Sequence, residues 1–154
     1  MSWTTSVAVA ELSPPGRSRS FERIADRYDE TRGGEDRGRR FAANLLPLLD
    51  ARLPTLEIGI GTGVVAMGLA GLGCRVFGVD ISPAMLSRAR GRLGPRVAIG
   101  DARRLPVAEA SFAGAYSVWV LHVVGNVPAV LAEERKSTRL NSSHIQKSRM
   151  PSSA

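Results

Sequence analysis

One acid and three glycines occupy every second position from the end of the first strand-like apolar segment onward: Glu57, Gly59, Gly61 and Gly63. Glycine removes the side chain where a chain turns sharply off a strand, and it lets a bulky ligand lie against the backbone. The next apolar segment closes with Asp80, whose carboxylate can accept hydrogen bonds from two ribose hydroxyls. A strand, a glycine turn, a helix and an acid-ended strand together predict a site for a nucleoside-bearing ligand.

The glycine spacing separates two classes of such ligands. A dinucleotide site needs a further glycine, so that the helix N-terminus can approach a pyrophosphate. Val64 or Ala66 occupies the required position, depending on which glycine opens the motif. This spacing disfavours a pyrophosphate, and an NAD-dependent oxidoreductase remains an alternative, as does a binding module without chemistry.

Four motifs, taken in chain order, resemble those of the class I S-adenosylmethionine-dependent methyltransferases. Residues 21–32, FERIADRYDETR, resemble the N-terminal helix that folds over the cofactor in small-molecule members. Residues 57–63 resemble the first motif of the family, residues 80–85 resemble its ribose and adenine motif, and residues 100–102 its third motif. The resemblance implies S-adenosylmethionine as the cofactor and methyl transfer to a small-molecule acceptor.

The resemblance also implies roles for individual residues. Asp80 would bind the ribose, Met85 would lie beside the adenine, and Asp101 would accept a hydrogen bond from the adenine amino group. The cofactor residues implied in this way are Tyr28, Arg32, Glu57, Gly59, Gly61, Gly63, Asp80, Ile81, Met85, Asp101, Ala102 and Trp119.

Some of these residues have structural alternatives. Tyr28 and Arg32 suit the polar face of an amphipathic helix equally well, and Trp119 suits a core position on a strand. Glu57 lies in a strand that is expected to be buried on both faces, so it needs a ligand or a backbone partner. His122 is the one candidate for a general base, although a lone histidine is more often structural. We predict no metal site.

Apolar segments that read as strands alternate with helical patterns. The predicted strands are residues 56–60, 75–79, 97–99 and 116–121, and helices are predicted over residues 21–32, 35–50, 64–72 and 82–93 and from 127 onward. This order predicts an α/β fold with a doubly wound parallel sheet that binds ligands at the carboxyl ends of its strands. By the resemblance, this is a Rossmann-like methyltransferase fold that is incomplete, with about four of seven strands present.

The composition changes twice along the chain. Residues 1–20 are expected to form a flexible leader, and residues 21–134 the cofactor-binding part of the domain. Residues 135–154 are polar, carry no periodicity, and back-translate into DNA that resembles a sequencing adapter, which predicts an unstructured, non-native tail. A natural disordered basic tail is the alternative. A chain truncated in this way is expected to be a poor enzyme by itself.

The net charge of +7 is concentrated in this tail. Residues 135–154 hold five of the 21 basic residues and no acid, which leaves 16 bases against 14 acids elsewhere. A nucleic-acid partner is therefore not implied. Cys74 has no partner for a disulfide, and the N-terminus carries neither a signal core nor a membrane span, so we expect a cytoplasmic protein. The oligomeric state is not predicted.

Overall fold

Helices and strands alternate along the part of the chain that the structure describes. The computed structural model describes residues 18–139, with side chains from residue 24 onward. The elements are α1 (Ser18–Arg32), α2 (Gly34–Leu45), β1 (Pro54–Ile58), α3 (Val64–Gly71), β2 (Arg75–Asp80), α4 (Pro83–Leu93), β3 (Val97–Ile99), β4 (Gly114–Ser117), α5 (Leu121–Val124) and α6 (Val127–Ser137). A short 3-10 helix, Leu46–Leu48, follows α2 and has Pro47 in its first turn.

The four strands form one parallel sheet in the order β3-β2-β1-β4. In the central strand, Glu57 pairs with Gly78 on one side and with Tyr116 on the other. Because parallel strands bring their carboxyl ends to one edge, the turns after β1, β2 and β4 meet there. The predicted α/β fold with a parallel sheet is confirmed.

The sheet separates two apolar clusters of side chains. Leu56 and Ile58 of β1 pack with Phe112 and with Val130 of α6 on one face. The other face carries α2, α3 and α4, whose buried core residues include Ala42, Ala66, Leu69, Leu86 and Ala89. Alternate side chains of a strand point to opposite faces, so Glu57 lies on the opposite face from Leu56 and Ile58.

The start of α4 follows the sequence prediction closely. The Ser82 hydroxyl accepts a hydrogen bond from the backbone N–H of Met85 at 3.3 Å, and Pro83 occupies the first turn. Serine as the N-cap and proline at the first helical position are both favourable. The direction of α4 as it leaves the Asp80 turn is therefore fixed locally.

Two predicted strands end earlier in the structure. The first strand ends at Ile58 instead of residue 60, because Gly59 already has a φ of 72°. The fourth strand ends at Ser117 instead of residue 121, because Trp119 has a φ of 61° and α5 begins at Leu121. A short apolar run does not by itself distinguish a buried strand from a buried turn and helix.

Part of each predicted terminal segment is folded in the structure. Helix α1 begins at Ser18, so residues 18–20 are helical and not part of a leader. The last helix breaker before α1 is Gly16, and nothing in residues 18–20 opposes a helix. The remaining leader, residues 1–17, lies outside the described residues.

The first five residues of the predicted unstructured tail, 135–139, are ordered in the structure. Helix α6 continues to Ser137, and the chain then pairs with the segment before β4, since the backbone N–H groups of Phe112 and Arg139 donate to Ser137 and Phe112 at 3.0 and 2.8 Å. Ser137 and Thr138 are buried. Residues 135–139 are therefore part of the fold, and residues 140–154 lie outside the described residues.

Trimming the chain at two points should separate these segments. Removal of residues 140–154 is expected to leave the melting temperature unchanged. Further removal of residues 135–139 should lower it by several degrees, because backbone hydrogen bonds to Ala110 and Phe112 are lost, each worth about 0.5 to 1.5 kcal/mol. Thermal unfolding followed by circular dichroism measures both steps, and equal melting temperatures for the two trimmed chains would contradict the packing of residues 135–139.

Candidate functional site

A cavity of about 530 Å³ lies at the carboxyl edge of the sheet. Its walls come from α1, the turns after β1, β2 and β3, and the segment after β4. The structure brings together nine of the sequence-predicted cofactor residues in this lining: Tyr28, Gly59, Gly61, Asp80, Ile81, Met85, Asp101, Ala102 and Trp119.

Gly59 and Gly61, in the turn after β1, have different surroundings. Gly61 has a φ of 58°, and a Cβ atom added there would find no atom within 4 Å, so the site offers open space beside a bare backbone. Gly59 has a φ of 72°, and its added Cβ would lie 2.0 Å from Cγ2 of Val120. Gly61 therefore leaves room for a ligand, whereas Gly59 leaves room for the segment after β4.

Gly63 lies outside the cavity lining that the structure describes. It precedes α3, and a Cβ atom there would come within 3.2 Å of the Ala89 Cβ. This glycine therefore allows α3 and α4 to pack closely, which supports the turn without contacting the cavity.

The Asp80 carboxylate lies between the first and second turns. Its Oδ2 accepts a hydrogen bond from the Gly61 backbone N–H at 2.8 Å, and its Oδ1 accepts one from the Ser82 N–H at 2.9 Å. The two oxygens of a carboxylate together offer about four acceptor sites, so Asp80 keeps acceptor capacity for a ligand. Burial raises the pKa of Asp80, and the N–H groups of Ser82 and Gly61 oppose that rise.

Asp101 is paired with an arginine that the sequence interpretation missed. Nε of Arg103 donates to Oδ1 of Asp101 at 2.9 Å, and Nη2 donates to Oδ2 at 2.6 Å. The hydrogen bond from the Arg103 side chain holds the pKa of Asp101 below its usual value. Arg103 also lines the cavity, so this wall carries an ion pair and not a lone acid. An arginine two residues after an acid in a turn is the sequence signal that could have revealed it.

The segment after β4 forms the apolar wall of the cavity. Trp119 has a left-handed backbone, which is rare for a bulky residue and often marks a functional site. Its ring lies 3.9 Å from the guanidinium carbon of Arg37 and 4.6 Å from the Phe41 ring centroid, both on α2. Four valines complete this wall: Val118, Val120, Val123 and Val124. Sequence reasoning did not identify Val120, Val123 or Val124.

Glu57 also lies outside the described cavity lining, within the sheet. It is 2% exposed, and its Oε2 accepts a hydrogen bond from the Tyr116 hydroxyl at 3.0 Å. The predicted need for a partner is thus met by a neighbouring strand. Burial raises the pKa of Glu57 to about 8, although the hydrogen bond from Tyr116 opposes that rise.

Replacing Glu57 by glutamine should flatten the pH dependence of stability. The folded state holds a proton that the unfolded chain releases between pH 4.5 and about 8. This contribution is fully present below pH 4.5 and is lost as the pH rises through about 8. Between about pH 5 and about pH 9, the melting temperature of the unsubstituted chain should therefore fall by several degrees more than that of Glu57→Gln. Parallel curves would contradict the raised pKa.

Two further predicted residues lie outside the described lining. Arg32 is exposed, and its guanidinium carbon lies 5.7 Å from the centroid of the Tyr28 ring. His122 lies on α5 and is exposed, while its neighbours Val123 and Val124 line the cavity. The role of His122 as a general base stays a prediction.

Residues 18–139 show no group of three histidine, cysteine, aspartate or glutamate side chains suited to a metal ion. Over the same residues, no helix has the length and apolar character of a membrane span.

Comparisons with known proteins point to one family. Residues 56–143 match the profile of the methyltransferase domain. The bifunctional biotin biosynthesis protein BioHC of Cellvibrio japonicus is 35% identical over 75% of this chain and 24% of its own length. Demethylmenaquinone methyltransferase of Mycolicibacterium vanbaalenii is 34% identical over 86% of the chain and 59% of its own length. The chain thus spans less than two thirds of both curated relatives.

A solved structure has the same fold. A SAM-dependent methyltransferase from Thermotoga maritima superposes with a TM-score of 0.64 at 27% identity. The match covers 78% of this chain and 56% of that protein.

Proposed function

Because the chain belongs to the methyltransferase domain family, whose cofactor is S-adenosylmethionine, we propose that it forms the cofactor-binding part of an enzyme that methylates a small molecule. The observation that carries the proposal is the Asp80 carboxylate, which lines the cavity and is held by the Gly61 and Ser82 N–H groups. This arrangement suits a ribose with two free hydroxyls.

The residues around the cavity fit such a cofactor. Gly61 presents bare backbone beside open space, which a side chain would fill. Met85 and Ile81 supply apolar surface for a base, while Asp101, Ala102 and Arg103 supply polar groups. When bound, S-adenosylmethionine supplies an electrophilic methyl group on a sulfonium. The role of the protein is then to align the methyl donor with the acceptor and to exclude water.

We propose that the methyl acceptor binds beside the apolar wall formed by the valines after β4. It carries no titratable side chain among its described lining residues, which are Val118, Trp119, Val120, Val123, Val124, Gly125 and Asn126. We therefore propose that this chain binds and positions the donor, and that any base acting on the acceptor comes from elsewhere in the protein. We also propose that the acceptor is a small molecule, that neither nucleic acid nor membrane is a partner, and that the protein is cytoplasmic.

An NAD-dependent oxidoreductase is not favoured. Val64 and Ala66 occupy the positions of the missing glycine, and both lie within α3, where Ala66 is fully buried. Asp80 itself does not distinguish the two cofactors, because an acid at this position also binds the ribose of NAD.

Calorimetric titration distinguishes the two ligands. The chain ending at Arg139 should bind S-adenosylhomocysteine and show no heat of binding with NAD. Binding of NAD with no binding of S-adenosylhomocysteine would contradict the proposal.

A further inference from the structure

We propose that Asp29 and Arg92 are positioning residues of the cofactor site, which together fix the first glycine turn against helix α1. This inference rests on the proposed cofactor site. It comes from one hydrogen-bonded group that links three elements of the chain: α1, the turn after β1, and α4.

Thr62 is the member of this group that belongs to the glycine turn. It stands between Gly61 and Gly63 and is 2% exposed. Its hydroxyl donates to Oδ1 of Asp29 at 2.5 Å, and its carbonyl oxygen accepts a hydrogen bond from Nη1 of Arg92 at 2.8 Å. The hydroxyl and the carbonyl oxygen of Thr62 are therefore both held by side chains from outside the turn.

Asp29 and Arg92 also contact each other. Nη2 of Arg92 donates to Oδ2 of Asp29 at 2.8 Å, and each side chain is 19% exposed. A half-buried ion pair with several hydrogen bonds is screened less by salt and holds its geometry better than an exposed pair. The three residues thus close a ring of hydrogen bonds.

Two residues of this ring have a chain neighbour that lines the cavity. Tyr28, the neighbour of Asp29, lines the cavity, as does Gly61, the neighbour of Thr62. The Gly61 N–H is also the group that donates to Asp80. Glycines with left-handed backbones gain little rigidity from their own conformation, so Thr62 supplies an anchor that the turn needs.

A second ion pair between the same helices provides a matched control. Arg88 of α4 donates to Asp26 of α1 at 2.8 Å, the same distance as in the first pair. Asp26 is 90% exposed at its side chain, and this pair has no described hydrogen bond to the glycine turn. If Asp29 acted only by joining α1 to α4, its removal would loosen α1 without loosening the glycine turn.

The test compares Asp29→Ala and Arg92→Ala with Asp26→Ala and Arg88→Ala. The affinity for S-adenosylhomocysteine should fall about tenfold in the first two variants and stay within about twofold in the controls. Thr62→Val, which removes only the hydroxyl, should give a smaller loss in the same direction. Equal losses for both ion pairs, or no loss for Asp29→Ala, would overturn the proposal.

Hydrogen exchange of the ligand-free protein gives a second readout. Asp29→Ala should speed amide exchange at Gly61 and Gly63 as well as in α1, whereas Asp26→Ala should affect α1 alone. Unchanged exchange at the two glycines in Asp29→Ala would also overturn the proposal. If the unsubstituted chain does not bind S-adenosylhomocysteine, the proposed function fails, and the exchange comparison still decides whether Asp29 holds the turn.

Discussion

Replacing Asp80 by alanine should weaken binding of S-adenosylhomocysteine about a hundredfold or more. Two charge-assisted hydrogen bonds to the ribose would be lost, each worth about 1.5 to 3 kcal/mol. The same change leaves the Gly61 and Ser82 N–H groups without their acceptor, so the turn that faces the ligand is disturbed as well.

The asparagine variant separates these two effects. Asp80→Asn keeps the shape of the side chain but turns an NH₂ group toward one of the two backbone donors, and we expect at least about a tenfold loss of affinity. Asp36→Asn, an exposed substitution on α2, is the control and should leave the affinity unchanged. Calorimetry gives the affinities, and circular dichroism verifies that each variant folds. If folded Asp80→Ala bound S-adenosylhomocysteine with unchanged affinity, the ribose could not be assigned to Asp80.

The second large effect is expected from Gly59→Ala, which should destabilise the fold by about 2 to 5 kcal/mol. The added Cβ would lie 2.0 Å from Cγ2 of Val120, a clash that must push the segment after β4 away. Overpacking of this kind costs about 1 to 3 kcal/mol, and the left-handed backbone adds about 1 to 2 kcal/mol for a residue with a Cβ.

A second substitution tests the cause of this loss. Adding Val120→Ala to Gly59→Ala removes the clashing methyl groups and should restore the part of the stability that the clash costs, while the strain of the left-handed backbone remains. Gly61→Ala is the contrasting variant, since its Cβ meets no protein atom within 4 Å. It should fold, with only the strain of its backbone, and lose affinity for the cofactor. Denaturant unfolding measures the stabilities, and a failure of Val120→Ala to rescue Gly59→Ala would exclude the contact as the cause.

The sequence predicted the features that depend on neighbours along the chain. The order of strands and helices follows from apolar periodicity, and Ser82 with Pro83 marks the start of α4. Asp80 and Gly61 could be placed at the cavity because a strand that ends in a turn must deliver both to the same edge of the sheet.

The contacts that the sequence did not reveal join distant parts of the chain. The Glu57 partner, Tyr116, is 59 residues away, and the Asp29 partner, Arg92, is 63 residues away. Local patterns show that a buried acid needs a partner, but the choice of partner depends on strand order and helix packing. The contact that excludes a side chain at Gly59 was missed for the same reason, since the atoms involved belong to Val120.

The left-handed turn at Trp119 was also not predictable from composition. Residues 116–121 are apolar and rich in β-branched or aromatic side chains, which favours a strand. Contacts with Arg37 and Phe41 hold Trp119 in a conformation that its own preferences oppose. Tertiary packing outweighed local propensity at this position.

The position of Trp119 gives the molecule an intrinsic optical label. The chain has two tryptophans, and Trp3 lies outside the described residues, so all tryptophan emission of a Trp3→Phe chain would come from the indole of Trp119. That indole is 38% exposed, borders the cavity and lies under the guanidinium of Arg37. Its emission wavelength and its accessibility to a soluble quencher therefore follow the filling of the cavity without any attached dye.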